Sequence, residues 1–183
     1  MHFTLGELLL DLVQNAAAAG STTVRVTWRE RGGELLLAVE DDGCGMTGDF
    51  VARATDPFIT DGVKHPGRPV GLGLAFLRQT AESTGGRFRL DSQPGEGTHV
   101  ALEAPADHID LPPAGDVGES LVLALCSEGP REIEIERERG GNSYTIRKSE
   151  LEEVLGDLSS VVGRRLLGEF VRSQEEDDGK DDA

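Results

Sequence analysis

DDGCGM, residues 41–46, closes the apolar run ELLLAVED (34–41) with two carboxylates and then gives up its side chain twice within three positions. Asp-Gly pairs alone are ordinary turn material, because glycine tolerates positive φ and aspartate accepts local backbone hydrogen bonds. The surroundings give the stretch its meaning. Upstream, TVRVTWRE (23–30) alternates and is joined to 34–41 by Arg31, Gly32 and Gly33, which predicts a hairpin. Before it, Leu5, Leu8, Leu9, Leu12, Val13 and Ala16 recur at helical spacing, so residues 5–19 read as a helix that Gly20 can end. Glu7, Asp11 and Asn15, four apart, line its other flank, and Glu7 reads as plain helix surface. Downstream come a short helix near 48–54, an irregular stretch from Asp56 to Val70, and a helix over 71–86 that begins and ends in glycine. RFRLDSQ and THVALEA then form a second hairpin around Pro94, Gly95, Glu96 and Gly97.

Helix, two strands, loop, helix, two strands is an α+β pattern: helices on one face of a largely antiparallel sheet. Pro105, Pro112 and Pro113 mark a seam after residue 105. Beyond it the spacing predicts a helix over 116–127, a strand pair (IEIERER and NSYTIR), and one or two helices from Ser149. Ser149 and Glu152 match the S-x-x-E capping pattern. The chain divides into a first unit at 1–105, a small α/β module at 106–172 and an acidic tail at 173–183, expected to be disordered.

At 183 residues the chain can bury a sizeable core. No apolar run approaches the length of a membrane span, and the N-terminus has acid where a signal peptide would be basic. Cys44 and Cys126 stand far apart in unlike contexts, which predicts no disulfide framework and a reducing, cytoplasmic location. The net charge of −16 argues against nucleic acid as a partner, since phosphate binding needs clustered cations. Residues 1–105 carry nine basic and fourteen acidic groups, residues 106–183 nine and twenty. The acid excess is concentrated in the second half.

No P-loop pattern is present, and GLG at 71–73 lacks the third glycine and the preceding strand of a dinucleotide fingerprint. Four short patterns remain, in order. They are D-x-x-x-N-A on a helix (Asp11, Asn15, Ala16), D-x-G-x-G-M after a strand (Asp41, Gly43, Gly45, Met46), G-L-G-L opening a helix (Gly71, Leu72, Gly73, Leu74), and G-x-G-T entering a strand (Gly95, Gly97, Thr98). Each is weak alone; the ordered set is specific. Together they resemble the N box and three glycine boxes of the Bergerat-fold, or histidine-kinase-like, ATPases, the superfamily of the gyrase, heat-shock chaperone, histidine kinase and MutL ATP sites. The resemblance covers about residues 5–103 and implies that residues 1–105 are an ATP-binding domain.

Within that resemblance each residue has a physical role. Asp41, an ionised acceptor, takes the adenine amino hydrogen, supported by a water and the Thr98 hydroxyl. Gly43 and Gly45 clear side chains so that the purine can lie against backbone, and Met46 offers an adaptable apolar wall. Gly71, Leu72, Gly73 and Leu74 present free N–H groups at a helix N-terminus to phosphate oxygens. Asn15 supplies a neutral oxygen to Mg²⁺. Asp11, one turn earlier, stands where hydrolysing members carry a glutamate that activates water, and is the candidate general base, with a carboxylate one methylene shorter. Lys64 and Arg68 lie in the loop that forms a lid over ATP in this superfamily, and either could meet a phosphate. Two departures stand out: Ala18 replaces the basic residue usual in histidine kinases, and Pro69 replaces the first glycine of their G-x-G-L-G-L.

No phosphoacceptor helix precedes the N box in this sequence, and none of the four histidines reads as one. The short lid region with DPF before it, and the linker HIDLPPAGD, are similar to a group of stand-alone ATP-binding proteins that accompany iron-only hydrogenase genes in clostridia and related anaerobes. The implied activity is that of an ATP-dependent regulator or assembly factor with slow hydrolysis, meeting a protein partner through residues 106–172. A kinase that phosphorylates a partner, and a non-enzymatic ATP sensor, are the alternatives.

Overall fold

The computed structural model describes residues 4–54 and 73–176. Among them the chain runs α1 (Leu5–Ala18), β1 (Thr23–Arg31), β2 (Glu34–Asp41), α2 (Gly48–Ala54), α3 (Gly73–Thr84), β3 (Arg87–Gln93), β4 (Gly97–Pro105), α4 (Val117–Leu125), β5 (Glu132–Arg139), β6 (Asn142–Arg147), α5 (Lys148–Leu155) and α6 (Val161–Glu176). The fold is α+β, as expected. The six strands form one sheet in the order β3-β4-β2-β1-β5-β6, and every neighbouring pair is antiparallel except β1 with β5.

The predicted stripe of α1 is the heart of the core: Leu5, Leu8, Leu9, Leu12, Val13 and Ala16 are all buried. Thr4 caps the helix by accepting the Glu7 N–H, while Glu7 accepts the Thr4 N–H at 2.8 Å. Glu7 is thus exposed surface with a structural task, half of a reciprocal cap. Alternation in the strands sets the two faces of the sheet. One face carries Val24, Val26 and Trp28 of β1, Leu35, Leu37 and Val39 of β2, Val100 and Leu102 of β4, and Ile133 and Ile135 of β5, all buried under the helices. The opposite face is ionic: Arg25 pairs with Glu40 and Glu134, Arg29 with Glu136, and Arg147 with Glu134. These exposed pairs contribute little each, but their alternating signs keep the open face solvated.

The segment after residue 105 extends this sheet. β5 lies along β1 over eight register positions from Thr23↔Glu132 to Glu30↔Arg139. On the helical side α4 packs against α1, where a Cβ on Gly6 would overlap the Ser120 hydroxyl. Two expectations need correction. Ser149 does not open a capping box; α5 begins at Lys148 with no side-chain cap from its N-cap residue, and Ser149 gives both its N–H and its hydroxyl to Glu132 on β5. A carboxylate from another element therefore meets this helix N-terminus, which suits the helix dipole. Residues 173–176, expected to begin a disordered tail, instead form the last turn of α6, and 177–183 lie outside the described residues.

Candidate nucleotide site

Asp41 is the last residue of β2, in register with Val24 on one side and Thr98 on the other. Thr98 is in turn opposite Ser92 on β3. Ser92, Thr98 and Asp41 therefore form one row across the covered face, at the end of the sheet where β2 leads into the DDGCGM loop. Above this end lies a pocket lined by Leu12, Asn15, Ala16, Ala18 and Ala19 of α1 and its cap, with Val39, Asp41, Gly45, Met46, Phe50, Leu74, Thr98 and Val100. The apolar wall and the few polar groups match the ordinary make-up of a small-molecule site. Of the residues expected at the site, Asn15, Asp41, Gly45, Met46, Leu74 and Thr98 converge here. Lys64, Arg68, Gly71 and Leu72 lie outside the described residues.

The two acids of DDGCGM take different parts. Asp42 turns to the protein, accepting the Thr22 N–H at 2.7 Å, the Thr22 hydroxyl at 2.5 Å and the Thr23 N–H at 2.9 Å. The Thr22 hydroxyl and then the Thr23 N–H hold its carboxyl below the ordinary carboxylate value. Asp41 faces the pocket, and its Oδ1 accepts the Gly43 N–H at 2.8 Å.

The glycines of the loop also have packing roles. The expectation was that Gly43 and Gly45 clear room for a purine. A Cβ on Gly43 would instead strike the Ala19 side chain and the Asp41 carboxylate, and Gly43 does not line the pocket. Gly45, at φ +62°, has the Gln93 carbonyl in the space where its side chain would stand. The absent side chain of Gly43 lets the loop close on the end of α1, and that of Gly45 lets it close on the β3–β4 hairpin. The Gly95 N–H donates to the Cys44 carbonyl at 2.8 Å, and the Cys44 N–H to the Ala19 carbonyl at 3.0 Å.

Beside the pocket, Asn15 Nδ2 donates to Asp11 Oδ2 at 3.2 Å. The amide is thereby oriented with its nitrogen on the acid. A Cβ on Gly73 would overlap this same carboxylate oxygen, so Asp11 reaches the first residue of α3. N box and glycine-rich helix start thus meet at one point. Among the described residues no group of three or more His, Cys, Asp or Glu could hold a metal alone. The available donor is a neutral amide oxygen next to a carboxylate. That hard-oxygen set fits Mg²⁺, which keeps waters and borrows ligands from phosphates.

Sequence reasoning missed Ser92. The Met46 N–H donates to its hydroxyl at 2.8 Å, and that hydroxyl lies 2.9 Å from the Gly97 carbonyl and 3.0 Å from Thr98 Oγ1. Hairpin arithmetic carried the signal: the turn around Pro94–Glu96 places a hydroxyl opposite Thr98.

Residues 2–108 match the family model described as histidine kinase-, DNA gyrase B-, and HSP90-like ATPase. The sensor-like histidine kinase SenX3 of Mycolicibacterium smegmatis is 35% identical over 101 residues, which is 53% of this chain and 26% of that kinase. The sensor histidine kinase DcuS of Escherichia coli is 32% identical over 104 residues, 57% of this chain and 18% of the kinase. The chain thus spans about a quarter or less of these relatives' length. Among solved structures, the catalytic domain of histidine kinase ThkA aligns with 55% of this chain and 65% of its own at 21% identity and a TM-score of 0.41. An N-terminal domain of a DNA repair protein aligns with 88% of this chain and 58% of its own, at 14% identity and a TM-score of 0.55. No described helix is long and apolar enough to cross a membrane.

Proposed function

Because this chain belongs to the histidine kinase-, DNA gyrase B-, and HSP90-like ATPase family through residues 2–108, we propose that it is a Mg²⁺-ATP-dependent regulator or assembly factor that hydrolyses ATP slowly. The observation that carries this reading is the convergence of Asn15, Asp41, Met46, Leu74 and Thr98 on one pocket beside the Asp11 carboxylate. In it, Asp41 and Thr98 take the adenine edge, and Met46 and Leu74 supply the apolar walls. Phosphates meet Gly71, Leu72, Gly73 and Leu74, with either Lys64 or Arg68 as a cationic partner. Asn15 would hold Mg²⁺ through its carbonyl oxygen. The metal supplies charge neutralisation on the phosphate oxygens when bound.

Asp11 is the base in this reading. It stands one helical turn from Asn15 and can take a proton from a water in line with the terminal phosphate, geometry permitting before pKa is considered. Residues 106–172 meet the protein partner, a role supported by the excess of acid after residue 105. The partner is of the kind implied by the likeness to hydrogenase-associated ATP-binding proteins. A second reading, a kinase that transfers phosphate to a partner, is favoured by SenX3 and DcuS, whose names mark them as histidine kinases.

Radiolabelled ATP distinguishes the readings. The parent should release inorganic phosphate slowly and retain no protein-bound label. Asp11→Asn should bind ATP nearly as well and lose about 10²–10⁴-fold in hydrolysis, the usual worth of a positioned base, while Asp11→Glu should hold or raise the rate. Label accumulating on a partner protein would establish the kinase instead. Hydrolysis by Asp11→Asn at the parent's rate would remove Asp11 from the chemistry.

A further inference from the structure

Ser92 lies one strand beyond the pocket, half-buried on β3, with three polar atoms around its hydroxyl. A hydroxyl has one hydrogen to give and two lone pairs to receive. The Gly97 carbonyl can only accept, at 2.9 Å, so the Ser92 hydrogen goes there. The Met46 N–H can only donate, at 2.8 Å, and takes one lone pair. The contact to Thr98 Oγ1 at 3.0 Å is then a hydrogen bond in one direction only: Thr98 donates and Ser92 accepts. This is the sole assignment that makes hydrogen bonds of all three contacts.

The consequence falls on the pocket. With its hydrogen held by Ser92, the Thr98 hydroxyl turns only lone pairs toward the cavity it lines. Asp41, its register partner, is an ionised carboxylate and also accepts only. The polar edge of the pocket is therefore an acceptor surface on both strands. We propose that Ser92 is a specificity-positioning residue, holding Thr98 as an acceptor so that the pocket takes a 6-aminopurine nucleotide and rejects a 6-oxopurine. An amino group at C6 brings two hydrogens to this surface. A 6-oxopurine reverses the pattern: O6 brings lone pairs against lone pairs, and its hydrogen sits on N1. A site built to receive a hydrogen discriminates against a ligand that sets a lone pair at the same place. Ser92 does not touch the nucleotide in this account. It acts through Thr98.

The inference rests on the pocket being a purine nucleotide site, and the test separates the two. Calorimetric titration of the full chain with ATP and with ITP, both with Mg²⁺, gives an affinity ratio for each variant. The parent should favour ATP by roughly tenfold or more. Ser92→Ala frees the Thr98 hydroxyl to rotate and donate to O6, so the ratio should fall roughly tenfold, whatever happens to the affinity for ATP itself. Ser92→Thr retains the hydroxyl and should keep the parent's ratio. Thr98→Val, which removes the hydroxyl at nearly constant shape, should also narrow the ratio, and it carries the test if Ser92→Ala does not fold. Binding of neither nucleotide by the parent would overturn the nucleotide reading, and this inference with it. Binding of ATP with an unchanged ratio in folded Ser92→Ala would leave the site standing and make Ser92 merely structural.

Discussion

Two rows of side chains break the apolar surface beneath the helices, and they are polar in opposite ways. One row is Ser92–Thr98–Asp41; the other runs Trp28–Arg137–Tyr144 across β1, β5 and β6. Between them lies the wholly apolar row Leu90–Val100–Val39–Val26–Ile135–Ile146. Arg137 is only 2% exposed. Its guanidinium lies 5.6 Å from the centre of the Trp28 ring, 3.1 Å from Glu30 and 3.2 Å from Glu175 of α6, and donates to the Glu138 carbonyl at 2.9 Å. The Tyr144 hydroxyl donates to the same Glu175 carboxylate. Here the cation meets acceptors supplied by the chain itself. In the first row, Asp41 and Thr98 line a cavity. Buried polarity by itself does not mark a site.

The largest expected effect concerns the closed row. Arg137→Met removes the buried cation and leaves Glu175 and Glu30 without it, so unfolding should become easier by about 3 kcal/mol, as when one partner of a buried pair is deleted. Adding Glu175→Gln should recover part of the loss. Denaturant melts measure both, and ATP affinity should be unchanged where the protein is folded. A variant that lost ATP binding without losing stability would erase the distinction between the rows.

The open row should respond the other way. Asp41→Asn keeps the volume and turns a pure acceptor into a mixed group. ATP affinity should fall roughly tenfold to a hundredfold, from a mismatch of about 1–3 kcal/mol, with a much smaller change in melting temperature. Undiminished binding by calorimetry would remove Asp41 from the site.

The smallest effect sharpens the contrast between the two adjacent acids. Asp42 has its carboxyl held low, chiefly by the Thr22 hydroxyl. A depressed folded value means stability present above the ordinary 3.8 and lost as the pH falls through the lower folded value. Thr22→Val removes the main cause. Its destabilisation should be larger at pH 7 than at pH 3, by thermal melts at both. Equal losses at the two pH values would show that the Thr22 contact is not linked to ionisation.

Much of this molecule was legible in its sequence because its elements are strongly periodic. The stripe of α1, both early hairpins and the alternation of β5 and β6 fall where spacing puts them. What was not legible depends on distant partners. Alternation in I-E-I-E-R-E-R puts Arg137 on the face of Ile133 and Ile135, but nothing local names its partners, because only the parallel pairing with β1 sets it against Trp28. Ser149 looks like a cap by local pattern, but Glu132 on another element competes for it and wins. The site was legible as four short patterns, three of them glycine-containing; the reason for the glycines was not. Gly45 and Gly97 are required by backbone carbonyls of Gln93 and Asp41, contacts made across the sheet.

The most direct test of the central claim is a ¹H–¹⁵N correlation titration of the full chain with Mg²⁺-ATP. The account predicts that amides of Asn15, Asp41 to Met46, Leu74 and Thr98 shift together in one saturable process, while those of Arg137, Tyr144 and Glu175 at the closed end stay in place. Shifts centred on Arg137, Tyr144 and Glu175, or no saturable shift at the open row, would contradict it.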